Sequence, residues 1–138
     1  MATAGGETDL GRMLAGLDPR LDPAEWVFVS VPPPGPHGGQ PLMRCREDEG
    51  MTLVLRPEEA VRLGLPPAPV FRRITLGVHS ILEGVGLTAA VATALAGKGI
   101  SANMVAAFHH DHVFVPADRA EEALACLLDL RGGAQAGR

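Results

Sequence analysis

Apolar and polar residues follow patterns that divide the chain into two successive runs of helices and strands. In the first run, leucines and a methionine recur at spacings of three and four, which predicts a helix over residues 8–17. Segments rich in β-branched or aromatic residues predict strands over residues 26–31, 42–46 and 51–55. A proline followed by two glutamates opens a short helix at Pro57. The first run is therefore predicted to be α-β-β-β-α.

The second run is predicted to be β-α-β-β-α. Its alternating and helical patterns place the five elements over residues 71–78, 87–96, 100–108, 112–115 and 118–130. Gly132 and Gly133 follow the last helix, and we expect them to end it. The tail after this glycine pair is expected to fray.

Together these runs predict the α+β class. A β-α-β-β-α order places two helices on one face of an antiparallel sheet, as in a ferredoxin-like half-sandwich. One strand is missing from that arrangement, and the first run is able to supply it or to lend an edge. The proline-rich connector at 65–69 is the expected boundary between an N-terminal unit (residues 1–65) and a C-terminal unit (residues 66–138).

Composition narrows the class of partner. The formal net charge is −4, and the chain has one Trp, four Phe and no Tyr. Nucleic-acid platforms are usually basic and stack bases on aromatic rings, so this composition argues against nucleic acid. Cys45 and Cys126 form no CxxC motif and are expected to be small core residues. With no secretory leader and no apolar run of about 20 residues, the expected location is the cytoplasm, without a membrane partner.

The segment from Ile74 to Pro116 carries a family resemblance. It reads ITLGVHSILEGVGLTAAVATALAGKGISANMVAAFHHDHVFVP and resembles an ACT domain, specifically the bacterial proteins with two ACT repeats. The matching features are His-Ser, an acidic residue, Val-Gly-Leu, an alanine-rich helix, Gly-Ile-Ser, His-Asp-His and Phe-Val-Pro. Gly84 and the Phe108-His109 pair depart from the family pattern. A weaker resemblance at 49–60 extends the match to roughly residues 8–131.

The resemblance implies two ferredoxin-like ACT repeats, in antiparallel sheets with helices packed on one face. It also implies a non-catalytic regulatory module without a cofactor, which binds a small molecule, often an amino acid, between repeats or subunits. A homodimer is expected on the same ground. Two other functions stay open: a structural or interaction domain without a ligand, and a metal-dependent enzyme that uses the histidines at 109–112.

The loop at 79–86 is the candidate ligand site. Gly84 and Gly86 allow the backbone to approach a ligand closely, and the helix N-terminus after them favours a carboxylate. Glu83 or Asp111 would accept the ligand's ammonium group. A bulky residue at Gly86 is expected to abolish binding without unfolding the domain. The full set of expected ligand contacts is Glu83, Gly84, Val85, Gly86, Leu87, Asn103 and Asp111.

Each of these positions also has a structural interpretation. The glycines suit a tight turn, Glu83 suits solvent exposure, and Asp111 suits a turn in which it bonds its own backbone. Asn103 lies in a predicted strand, where asparagine is disfavoured, and a structural hydrogen bond would explain it. The resemblance implies that this loop is the usual ligand contact in ACT domains, and both interpretations of the loop stay open.

Polar residues outside the loop complete the candidate chemistry. His109, His110, Asp111 and His112 have the side-chain types that bind zinc or nickel. Neighbouring side chains in a strand point to opposite faces, however, so the spacing argues against a closed metal site. A polar contact to a ligand or ordinary turn chemistry are the alternatives, and no metal or catalytic residue is assigned. Arg72 and Arg73 suit a solvated edge or, alternatively, a ligand carboxylate.

Overall fold

A computed structural model describes residues 6–35, 39–77 and 86–136, with the backbone alone for residues 6–9. A short 3-10 turn at Ala117–Arg119 leads into the last helix. The elements are α1 (Gly6–Ala15), β1 (Pro19–Val31), β2 (Met43–Glu47), β3 (Gly50–Leu55), α2 (Pro57–Arg62), β4 (Val70–Leu76), α3 (Leu87–Gly97), β5 (Asn103–Ala106), β6 (Asp111–Pro116) and α4 (Ala120–Ala136). The predicted order α-β-β-β-α followed by β-α-β-β-α is confirmed.

The six described strands form one antiparallel sheet in the order β2-β3-β1-β4-β6-β5. β1 is the longest, with 13 residues. Its second half pairs with β3, where Val27 lies opposite Leu55. Its first half pairs with β4, where Pro19 lies opposite Leu76. A single sheet therefore serves both runs, where the sequence suggested separate sheets.

The position of β1 explains the strand that the second run lacks. In the second run, β6 separates β4 from β5, and the first half of β1 lies on the other side of β4. It occupies the place that the final strand has in a ferredoxin-like unit. In the same way, β4 completes the first run beside β1. The ferredoxin-like α+β fold is confirmed, with β1 and β4 shared, while the division at residues 65 and 66 stays a prediction.

One face of the sheet is covered by helices. Alternate residues of β4 and β6 are buried there against α3 and α4; Ile74, Val113 and Leu127 are fully buried in this cluster. A second cluster joins α2 to β1 and β3 through Ala60 and Val27. Burial of these aliphatic side chains is the main stabilising term for both clusters.

The opposite face of the sheet is aromatic. Trp26, Val54 and Phe114 are buried there, with Phe28 and Phe71 packed against them. The ring centroids of Phe28 and Phe114 are 5.3 Å apart and those of Phe28 and Phe71 are 5.5 Å apart, both edge to face. This geometry aligns the positive ring edge with the negative ring face. Among the described residues, none of the members of this cluster belongs to a helix; we call this side the helix-free face.

Two expectations from the sequence were wrong. β1 begins at Pro19, because a bulge between Leu21 and Glu25 accommodates the Asp22-Pro23 pair that interrupts the strand pattern. Cys126 is buried as expected, but Cys45 is exposed, since it lies on β2 at the edge of the sheet.

No helix in the described ranges has the length and apolar character needed to cross a membrane.

The last helix also extends beyond its predicted end. α4 continues through Gly132 and Gly133 to Ala136, which corrects the expectation of a frayed tail for residues 134–136. Contacts with the N-terminal part of the chain explain the extension. The side chain of Gln135 donates a hydrogen bond of 2.8 Å to the carbonyl of Ala15, and Arg131 donates one of 3.4 Å to the carbonyl of Leu17.

Replacing Gly132 and Gly133 with alanine is expected to stabilise the protein. Both lie in a helix, where alanine is favoured over glycine by about 0.5–1 kcal/mol per position. An added Cβ meets no atom within 4 Å at either position. Gly99→Ala provides the matched control: its Cβ also enters open space, but its φ of +70° makes alanine unfavourable. In urea unfolding, the free energy of unfolding should be higher than in the wild type for the double alanine variant and lower for Gly99→Ala. An unchanged value for the double variant would contradict a helix through residues 132–133.

Candidate functional site

The N-terminus of α3 is the described part of the predicted ligand site. Gly86 is its N-cap residue and has a φ of 99°, a left-handed conformation that glycine adopts without a steric penalty. Because its N-cap residue is a glycine, this end of the helix has no side-chain hydrogen bond from that position. The N–H groups of the first turn therefore receive no acceptor from the N-cap residue, and with the helix dipole they favour an anion. Leu87, the first helical residue, is buried in the core and anchors the turn.

α1 packs beside Gly86. A Cβ atom at position 86 would lie 3.1 Å from Cδ2 of Leu10. Together with the positive φ, this contact means that a bulky residue at Gly86 would strain the fold itself. Loss of binding in such a variant would therefore not separate a missing ligand contact from strain in the fold, and a test of this site needs another position.

Several predicted contacts cannot be placed. Glu83, Gly84 and Val85 lie outside the described residues, as does His79. Their roles stay predictions from the sequence.

Asp111 and Asn103 lie at opposite ends of the β5–β6 ladder. Asp111 is paired with Leu76, at the end of β4 where the chain leaves for the predicted ligand loop. Asn103 is paired with Phe114, and its Nδ2 donates a hydrogen bond of 3.3 Å to the Phe114 carbonyl. The structure therefore brings Asp111 to the loop end of the sheet and gives Asn103 the structural bond that its strand position suggested.

The histidines at 109–112 do not converge on one point. His109 is exposed, and its ring lies edge to face with that of Phe108, at 5.0 Å between centroids. His112 lies on β6, with Nδ1 2.9 Å from the hydroxyl of Thr75. Over the described ranges, no group of three or more His, Cys, Asp or Glu side chains is placed to hold a metal ion.

His112 lies near the side chains of Arg73, His110 and Asp111. Its pKa is lowered from the ordinary histidine value, mainly by partial burial. The nearby Arg73 and His110 side chains lower it further, while Asp111 acts in the opposite direction. At neutral pH the ring of His112 is therefore predominantly uncharged.

Arg73 belongs to a network that the sequence did not predict. Its guanidinium donates a hydrogen bond of 3.2 Å to Oδ2 of Asp22, and the indole Nε1 of Trp26 donates one of 3.3 Å to the same oxygen. Partial burial raises the pKa of Asp22, but hydrogen bonds from the Ala24 N–H, Trp26 and Arg73, with the Arg73 charge, outweigh it and lower the pKa. Arg73 is thus partly buried and paired, not the solvated edge residue that was expected.

Only the β1–β4 register reveals this network. Asp22 lies in the bulge of β1, and the pairing of the two strands brings it to Arg73, 51 positions along the chain. No local pattern in the sequence pointed to it, because charged residues occur at several positions of both strands.

A strand-helix-strand-strand-helix order, completed by a strand borrowed from the first run, defines the ferredoxin-like class of small α+β domains. Models of the ACT domain match residues 5–72 and 71–129. The chain therefore belongs to the ACT-domain family, as its resemblance indicated. ACT domains are regulatory modules that bind small molecules.

Several solved structures have a similar fold. The chain is 41% identical to a protein of unknown function from Vibrio cholerae described as a possible transport protein, with a TM-score of 0.79, covering 91% of this chain and 98% of that one. A protein from Agrobacterium tumefaciens is 17% identical, with a TM-score of 0.59 and coverages of 83% and 89%. The regulatory subunit of aspartate kinase from Thermus flavus is 16% identical, with a TM-score of 0.57 and coverages of 83% and 96%. No curated protein matches the chain.

Proposed function

We propose that this protein is a non-catalytic regulatory module that binds an amino acid at the N-terminus of α3. The observation that carries the proposal is the left-handed Gly86 at the N-terminus of α3, where the N-cap residue has no side chain to accept from the first-turn N–H groups. The N-terminus of a helix offers backbone N–H donors to a carboxylate. The fold shared with the regulatory subunit of an aspartate kinase supports a regulatory role.

In this proposal the ligand's two charged groups have separate partners. The carboxylate accepts hydrogen bonds from the N–H groups near Val85 to Leu87, where the helix dipole favours negative charge. The ammonium group is held by Glu83 or Asp111, and Asp111 lies at the end of the sheet where β4 leads into the loop. Asn103 stays outside this mechanism, because its amide donates to the Phe114 carbonyl at the far end of the ladder.

The expected homodimer also stays a proposal. β2 and β5 are the two edges of the six-stranded sheet. Each edge strand presents backbone N–H and C=O groups that are able to pair with a second chain. The cytoplasmic location expected from the sequence stays a prediction.

Thermal unfolding with each of the twenty amino acids tests the function. A ligand present at about 100 times its dissociation constant adds about 2.7 kcal/mol of stability. A domain of this size should then show a rise in Tm of several degrees. The matched control is the amide of the same amino acid, which lacks the carboxylate and should give a much smaller shift. If no amino acid raises the Tm, the amino-acid proposal fails.

A further inference from the structure

The helix-free face contains a pocket of about 160 Å³. Leu42 and Met43, from the segment that enters β2, form one side, and Val105 and Ala107 form the other. Phe114, which is fully buried, lies between them. Since β2 and β5 are opposite edges of the sheet, the sheet curls around this pocket and gives it apolar walls.

Two polar side chains, Arg73 and His112, also line the pocket. The Arg73 side chain is 25% exposed, and its Nε is buried with no hydrogen-bond partner in the part of the chain that the structure describes. A buried donor that lacks an acceptor is costly, and a charged donor is costlier. Thr75 engages Nδ1 of His112, which leaves Nε2 as the ring nitrogen that can meet a ligand. The pocket thus combines an apolar interior with the positive charge of Arg73 and the polar ring of His112.

The charges around the pocket favour a negatively charged ligand. Among the described residues, its lining contains Arg73 and His112 but no carboxylate. The acid bonded to Arg73 is Asp22, whose oxygen also accepts a hydrogen bond from the Trp26 indole. A ligand carboxylate would therefore find a cation, while a ligand ammonium would find no carboxylate in this lining.

From these features we infer that the pocket binds a small monocarboxylic acid with an apolar body and no ammonium group. An engineered apolar cavity of about 150 Å³ binds benzene, so a ring or a branched aliphatic group of that size fits. The carboxylate would pair with the guanidinium of Arg73 beside the ring of His112. This inference goes beyond the proposed function, because Arg73 and α3 lie on opposite faces of the sheet.

Titration with benzoate tests the inference, with benzamide and benzylamine as the neutral and cationic analogues. Trp26 is the only tryptophan, and its indole shares an acceptor oxygen with Arg73. Its fluorescence should therefore report binding. We expect saturable binding of benzoate, binding of benzamide weaker by about tenfold or more, and none of benzylamine. Absence of saturable benzoate binding, or equal binding of benzamide, would overturn the inference.

Three variants locate the site. Arg73→Gln should weaken benzoate binding by about tenfold or more. Arg72→Gln is the matched control. The Arg72 Nε donates a hydrogen bond to the backbone carbonyl of Asp22, but its guanidinium also pairs with Glu121 of α4 on the helical face. The affinity of this variant for benzoate should stay at the wild-type value. Ala107→Leu fills the pocket and retains Arg73, so it decides the question if Arg73→Gln fails to fold.

The outcomes separate this pocket from the site at α3. Loss of benzoate binding in Arg73→Gln and Ala107→Leu, but not in Arg72→Gln, supports the inference. Unchanged binding in Ala107→Leu overturns it. A glutamate in place of Thr88 at the first turn of α3 should leave benzoate binding intact, whether or not amino acids bind there. Loss of benzoate binding in that variant would place benzoate at α3 and overturn the inference.

Discussion

Replacing Phe114 with alanine should lower the free energy of unfolding by about 3–5 kcal/mol, the usual cost of removing a fully buried phenylalanine ring. Phe114 has no exposed surface and lies edge to face with Phe28. It belongs to the cluster of the helix-free face, so the helices on the other side of the sheet cannot move in to fill the cavity that its removal leaves. Because folded domains are typically stable by about 5–15 kcal/mol, this change should move the urea midpoint substantially.

Phe108→Ala is the matched control for this prediction. Phe108 has the same side chain but is 81% exposed in the turn between β5 and β6. Its removal should change stability by no more than about 0.5 kcal/mol, as at most surface positions. Similar stabilities for the two variants would contradict a buried aromatic cluster on the helix-free face.

Replacing Thr88 with glutamate should weaken amino-acid binding by about tenfold or more, because the introduced carboxylate and the ligand carboxylate would compete for the same helix end. The prediction applies to any amino acid that raises the stability of the protein. Thr88 is exposed in the first turn of α3, so the substitution disturbs no core contact. A glutamate at a helix N-terminus is itself favourable by about 0.3–1 kcal/mol. The variant should therefore fold at least as stably as the wild type while binding poorly.

Thr93→Glu makes the same chemical change further along α3, at another exposed position. It lies beyond the first turn, where the dipole effect has fallen off, so affinity should be close to that of the wild type. Calorimetric titration of the three proteins with one amino acid gives the comparison. Equal affinities for Thr88→Glu and the wild type would rule out carboxylate binding at this helix end.

Much of the fold was predictable because its elements carry local patterns. α3 begins at Leu87 as predicted, since an apolar residue every fourth position marks its buried stripe. The first part of β1 was missed because Asp22 and Pro23 interrupt the strand pattern, and only pairing with β4 stabilises it. The length of α4 was also underestimated, because Gln135 and Arg131 hold its end through contacts with the distant N-terminal segment.

The residues of the candidate sites differ in the same way: those with a local sequence signal were predictable, and those that depend on strand pairing were not. Gly86 was predictable because a glycine just before a helix is a local signal for a special backbone conformation. The contact between Arg73 and Asp22 was not, because it depends on the register of two strands far apart in sequence. The separation of Asn103 from Asp111 depends likewise on the β5–β6 register, which the alternating pattern alone does not define.

Amide chemical shifts, followed during titration with an amino acid that raises the Tm, test the central claim most directly. The account predicts that the largest changes fall on residues 83–90, at the loop and first turn of α3, with smaller ones near Asp111. Changes confined to the helix-free face, or no changes at saturating amino acid, would contradict the assignment of the regulatory site to the N-terminus of α3.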